Sequence, residues 1–161
     1  FDVNLTGTGL TPYQAVQQGA GINGSADPLG DADGDGVANV MEIAFGTSPG
    51  SNTSGTGALH YTGGLAGGGV IVSTGQPVTD LEPAPDTVDH WAIFVRRKDA
   101  AVLGITYTVE FSADLTTWEP STVTPTVLAS DATYEVVSVP YPYFVGGKKA
   151  RFFRVMIGVT P

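Results

Sequence analysis

The stretch Ile105-Thr106-Tyr107-Thr108-Val109-Glu110-Phe111-Ser112 alternates apolar and polar residues without a break. A strand sends successive side chains to opposite faces, so this period of two predicts a β-strand that turns Ile105, Tyr107, Val109 and Phe111 to a core. Working outward, residues 58–62, 70–74, 90–97, 121–128, 133–139 and 151–157 read as further short strands. Gly146-Gly147 supplies a tight hairpin turn before the last of them. Seven short strands separated by turn signals predict a mainly β chain, an antiparallel β-sandwich. Residues 76–89, acidic and rich in proline, read as a surface loop.

The sequence before residue 58 has a different character. Thr11-Pro12 offers an N-cap and a first helical residue with preset φ, predicting a helix over 13–18 that Gly19 stops. A second helix is predicted over 37–45, because Val37, Val40, Met41, Ala44 and Phe45 recur at helical spacing on one face. Gly46 ends it and Pro49 prevents its continuation. Residues 1–6 alternate like a strand, followed by a Gly7-Thr8-Gly9 hinge. Residues 47–57, rich in Ser, Thr and Gly, have the composition of a flexible linker. The chain divides on this reading into an N-terminal strand and hinge (1–10), a helical segment (11–50), a linker (51–57) and the sandwich (58–161).

Composition excludes several classes. The chain has 161 residues and no cysteine, so disulfides, thiolate catalysis and cysteine metal sites are absent together. Its longest strongly apolar run, residues 91–95, is far below the ~20 residues of a membrane helix. A net charge of −9 disfavours nucleic acid, which is held by clustered Lys and Arg. Only 14% of residues are charged, against about 25% in ordinary soluble domains, which leaves much uncharged surface for contacts. Residues 1–95 contain no Lys or Arg, and residues 1–95 and 96–161 carry −10 and +1. Such asymmetry permits head-to-tail contact between copies. The chain begins at Phe1, which reads as a processed, exported chain.

The strongest chemical signal is Asp31-Ala-Asp33-Gly-Asp35-Gly36-Val37-Ala-Asn39-Val-Met-Glu42, a full D-x-D-x-D-G-x5-E calcium loop. Carboxylates at alternate positions converge as the chain curls, Gly36 permits the sharp turn, and the Val37 carbonyl adds a ligand. Asn39 binds directly or through water, and Glu42 reaches back from the helix as a bidentate ligand. Asp27 stands close enough upstream to add a contact. The expected cofactor is therefore calcium (Ca2+). Magnesium, which demands strict octahedral geometry, fits this set poorly.

Residues 27–49 around this core resemble the loop-helix calcium motif shared by dockerins, thrombospondin type 3 repeats and many secreted bacterial surface proteins. Residues 107–118 and 150–155 resemble a β-sandwich module that follows such loops in large exported bacterial proteins and is similar to fibronectin type III domains. The resemblance implies an Ig/fibronectin III-like sandwich, calcium binding and an extracellular, secreted or cell-surface location. A paired EF-hand has a helix directly before its loop, whereas residues 26–30 intervene in this chain. That difference favours a structural site over a sensor.

No catalytic residues are assigned and the chain is not read as an enzyme. His60 and His90 lack the partners of a catalytic triad or a zinc helix and read as packing residues. Asp114 and Glu119 read as turn and surface residues. Trp91, Trp118, Tyr141 and Tyr143 read as core, with a sugar-stacking platform as the alternative. Two functions follow as expectations. The first is an extracellular, calcium-stabilised structural protein that assembles with copies of itself. Its strand Phe1–Thr6 would add to a neighbour's sheet, with Phe1, Val3 and Leu5 filling pockets, and the acidic half would meet bases such as Arg96 and Arg154. The second is a carbohydrate-binding accessory module of a larger secreted enzyme.

Overall fold

The computed structural model describes residues 9–83 and 88–160, and Phe1, Val3 and Leu5 lie outside the described residues. The fold is mainly β and sandwich-like, with antiparallel sheets. Strands β3 (Val78–Pro83), β4 (Val88–Arg97), β7 (Thr126–Ser130) and β8 (Tyr134–Pro140) form one sheet in the order β3-β4-β8-β7. Strands β5 (Ile105–Ser112), β6 (Glu119–Pro120) and β11 (Phe152–Val159) form the other, in the order β11-β5-β6. Strand β5 has the bounds its alternation predicts, and it pairs with β11 in unbroken register from Ile105 opposite Val159 to Ser112 opposite Phe152.

Phe94 and Tyr107 stack with ring centroids 6.1 Å apart, so one face of β4 meets the second sheet. The alternating neighbours Ile93 and Val95 therefore point the other way, yet both are 0% exposed. Leu59, Tyr61, Leu65 and Ile71 pack into the same cluster. The centre of the first sheet is thus buried on both faces, which is why residues 92–95 of β4 read as a continuous apolar run rather than an alternation.

Strands β1 (His60–Tyr61) and β2 (Ile71–Ser73) pair only with each other, in a two-stranded ribbon separate from the two larger sheets. A short 3-10 turn, Gly64–Ala66, links them and leads to Gly69, whose N–H donates to Leu128 O at 3.0 Å along the edge strand β7. A Cβ on Gly69 would lie 1.6 Å from Thr62 O, so glycine is required at this crossing. Strands β9 (Phe144–Val145) and β10 (Lys148–Lys149) form a hairpin closed by Gly146 and Gly147, with φ of 58° and 75°. The predicted turn is there, but it closes this small hairpin ahead of β11.

Three other readings change. Residues 76–89 are not a loop throughout, because β3 pairs along β4 from Val78 opposite Ile93 to Pro83 opposite Val88. An edge strand tolerates Asp, Glu and Pro, which hid it. The strand expected over 121–128 is instead β7, from Thr126, with Pro125 immediately before it. A short helix α3 (Ala100–Leu103), ended by Gly104 at φ 70°, carried no periodic signal.

The helical segment docks on this frame. Helix α1 (Pro12–Gly19) starts in a capping box between Thr11 and Gln14. It buries Tyr13 against Val40, Ile43, Ala44, Leu103 and Ile105. Helix α2 (Asn39–Phe45) starts two residues later than the apolar face predicts, because Ala38 stays extended at ψ 143°. Phe45 joins the core beside Tyr107, whose hydroxyl donates to Ala44 O at 2.8 Å. Residues 51–57 are not free of the fold either. Ser54 Oγ donates to Ser48 O and Ser51 O, and Ala58 bridges to Gln76. Among the described residues no helix is long and apolar enough to cross a membrane.

Candidate metal centre

The acidic loop lies between α1 and α2, and its backbone is shaped by its own side chains. Asp31 accepts from Gly34 N at 2.8 Å and from Gly36 N at 2.9 Å. Asp33 Oδ1 accepts from Asp35 N, and Asp35 Oδ1 accepts from Val37 N. Gly34 and Gly36 have φ of 80° and 93°, the left-handed values that a curled carboxylate loop needs and that residues with a Cβ resist. The result brings Asp31, Asp33 and Asp35 together, each offering an oxygen within 4.8 Å of the others.

The Gly36 and Gly34 amides, in that order, hold the Asp31 carboxyl below the usual carboxylate range. Glu42 shows the opposite. It is 0% exposed in the first turns of α2, and burial followed by the fields of Asp33, Asp35 and Asp31 pushes its carboxyl up to about 7. Its Oε1 meets Thr47 Oγ1 only at 3.5 Å, while Glu42 Oε2 and Asp33 Oδ2 are buried with no hydrogen-bond partner. Buried carboxylate oxygens are ordinarily satisfied, and two orphans beside one acidic cluster are costly unless a cation takes their lone pairs. The donor set is all oxygen, the chemistry that hard divalent cations select.

The other expected site residues have distinct places. Val37 follows the curl, half-buried, with its N–H on Asp35. Asn39 is buried with both ends of its amide engaged: Oδ1 accepts from Ala32 N at 3.1 Å and Nδ2 donates to Asp27 O at 2.8 Å. It ties the two ends of the loop together. Asp27 is exposed, and its carboxylate accepts from Leu29 N at 3.0 Å.

Two contacts were not foreseen. Gly55 N donates to Asp35 Oδ2 at 3.1 Å, and Gln76 Nε2 donates to Gly55 O at 2.7 Å. A Cβ on Gly55 would lie 2.2 Å from Asp35 Oδ2. The acidic loop is thereby wired through the Ser/Gly-rich stretch to the segment that enters β3. The only sequence signal was a glycine among many small residues, which does not name a partner 20 residues away.

Elsewhere, Asp114 accepts from Thr116 and Thr117 in a turn, and Glu119 accepts from Gly146 N. Trp118 packs under Arg154, 4.3 Å from ring centroid to guanidinium, away from Trp91, Tyr141 and Tyr143, which line one cleft. Four of the bases considered for contacts between copies have partners within the chain: Arg96 with Glu135, Arg97 with Asp99, Lys148 with Asp114 and Arg154 with Glu110. No family model matches the chain, and neither curated proteins nor solved structures give a match.

Proposed function

We propose that the chain is an extracellular, calcium-braced structural module with an Ig/fibronectin III-like sandwich, and that it assembles with copies of itself. The observation that carries the calcium reading is the pair of buried, unpartnered carboxylate oxygens on Glu42 and Asp33 beside Asp31 and Asp35. The loop's resemblance to dockerin and thrombospondin type 3 calcium motifs points the same way. Asp31, Asp33, Asp35, the Val37 carbonyl and Glu42 would hold the ion, with Asn39 and Asp27 fixing the loop ends. Bound calcium would cancel the repulsion among four carboxylates and pin α2, and with it Phe45, to the sandwich. Free calcium at about a hundred times the dissociation constant would add about 2.7 kcal/mol to folding.

Self-assembly rests on the low charge content and the acid-rich first part of the chain. With Arg96, Arg97, Lys148 and Arg154 engaged within the chain, Lys98, Lys149 and Arg151 are the bases without an ion pair among the described residues, and Lys98 donates to Asp131 O. The test has two arms. Calorimetry in calcium, in magnesium and in excess chelator should show a melting temperature raised by calcium alone, and equal values in all three would overturn the metal reading. Sedimentation and electron microscopy of the full chain in calcium should show assembly that is lost on deleting residues 1–6. A chain that stays monomeric at high concentration, or assembles equally without residues 1–6, would overturn the strand-addition reading.

A further inference from the structure

We propose that a cleft at one end of the sandwich, remote in sequence from the acidic loop, binds a neutral saccharide. The cleft has a volume of about 330 Å3 and is walled by the start of β4, the segment after β8 and the β9–β10 hairpin. That volume lies at the lower end of small-molecule sites, enough for one or two sugar rings.

Its walls are fixed. Tyr141 packs 4.8 Å from Phe111 and 5.9 Å from Phe153 between ring centroids, its hydroxyl lies 3.2 Å from Thr79 Oγ1, and its N–H donates to His90 O. The His90 ring stands 5.6 Å from the Tyr141 ring. On the opposite side, Ala150 N donates to Tyr143 O, and Gly146 N at the hairpin tip is held by Glu119.

Against this rigid frame, Tyr143 is 71% exposed and Phe144 is 66% exposed. Among the described residues neither ring is covered by another ring or by a cation. Two exposed aromatic rings at consecutive positions, both on the lining of one cleft, mark a contact site. Asp89, His90 and Lys149 add acceptors and donors of both charge signs to the same lining.

This mixture selects among ligands. An anion would want several cations, and the lining offers Lys149 together with the carboxylate of Asp89. A peptide added as a strand would need free main-chain groups, and the Tyr141 and Ala150 amides are already bonded. A pyranose has apolar C–H faces ringed by hydroxyl groups. It would stack on Tyr143 and Phe144 while hydrogen-bonding the polar rim.

The test is titration of the full chain, in calcium, with cellohexaose, xylohexaose, chitohexaose and maltohexaose at millimolar concentration, followed by backbone NMR. At least one should shift the resonances of His90, Tyr143, Phe144 and Lys149. Tyr143→Ala and Phe144→Ala should each weaken that binding at least tenfold with an unchanged melting temperature, since both side chains are exposed. None of the four sugars moving these resonances would overturn the proposal. So would binding that survives the double variant, or a proline-rich peptide shifting these residues when the sugars do not. Repeating the titration in chelator with an unchanged result separates this cleft from the metal reading.

Discussion

Replacing Glu42 with Gln keeps the side chain's shape and removes its charge. In excess chelator at pH 8 the folded protein carries an ionised, buried Glu42 in the field of three aspartates. The displacement of its carboxyl from 4.5 to about 7 corresponds to about 3 kcal/mol between its two forms. The variant recovers less than that, because an amide must still be buried, so the expected gain is about 2 kcal/mol. For a chain of this size that raises the melting temperature by roughly 4–8 °C. The pH dependence has a definite sign. A carboxyl whose folded value lies above its unfolded one takes its proton first in the folded state, so metal-free wild type loses stability as pH rises from about 4.5 to about 7. The difference between variant and wild type should grow across that window. In calcium the order should invert, because the variant lacks a bidentate ligand. Differential scanning calorimetry of both proteins, in chelator and in calcium, at several pH values reads all of this. A variant less stable than wild type in chelator at pH 8, or a difference that does not change with pH, would refute the reasoning.

Three other perturbations follow. Gly55→Ala would place a Cβ 2.2 Å from Asp35 Oδ2. It should displace that carboxylate, weaken calcium binding by at least tenfold in isothermal titration and lower stability by about 1–2 kcal/mol. Leu115 is exposed and holds φ at 65°, so Leu115→Gly should raise the unfolding free energy by about 0.5–1 kcal/mol, read as a higher chemical denaturation midpoint with an unchanged slope. Asp114 is held well below the usual carboxylate range by the Thr116 hydroxyl, then by the Thr117 and Thr116 amides. Its contribution is present above the unfolded value near 3.8 and is lost as pH falls below it. The stability difference between wild type and Asp114→Asn in urea should therefore shrink between about pH 5 and pH 2.

Local pattern made some elements readable and left others hidden. Strand β5 was legible residue for residue because one of its faces is buried and the other is wet, so the alternation is clean. The start of helix α1 was legible from Thr11-Pro12, whose roles are set by covalent geometry, but its end was not: Gly19 stays helical, Ala20 is the cap and the left-handed glycine is Gly21. Strand β3 was hidden because main-chain pairing to β4 forms it, and pairing leaves no mark on side-chain type. In the acidic loop, spacing alone brought Asp31, Asp33 and Asp35 into one cluster. That Glu42 would be wholly buried, and that Gly55 would clasp Asp35, depends on packing between segments distant in sequence. Of the four aromatic rings considered for a platform, Trp91, Tyr141 and Tyr143 converge and Trp118 does not, because Arg154, on β11 across β5, claims it.

The clasp between Asp35, Gly55 and Gln76 bears on how long the chain would last in the presence of proteases. Proteolytic attack falls on exposed segments of small, polar residues that can detach from the fold. Residues 47–57 have that composition but are fastened at Gly55 from both sides. With Asp35 held by calcium, cutting would require the clasp to open first. With calcium withdrawn, repulsion among the carboxylates would loosen one of the two fastenings. The lifetime of the chain would then follow the calcium level around it, with the first nick falling between the helices and the sandwich.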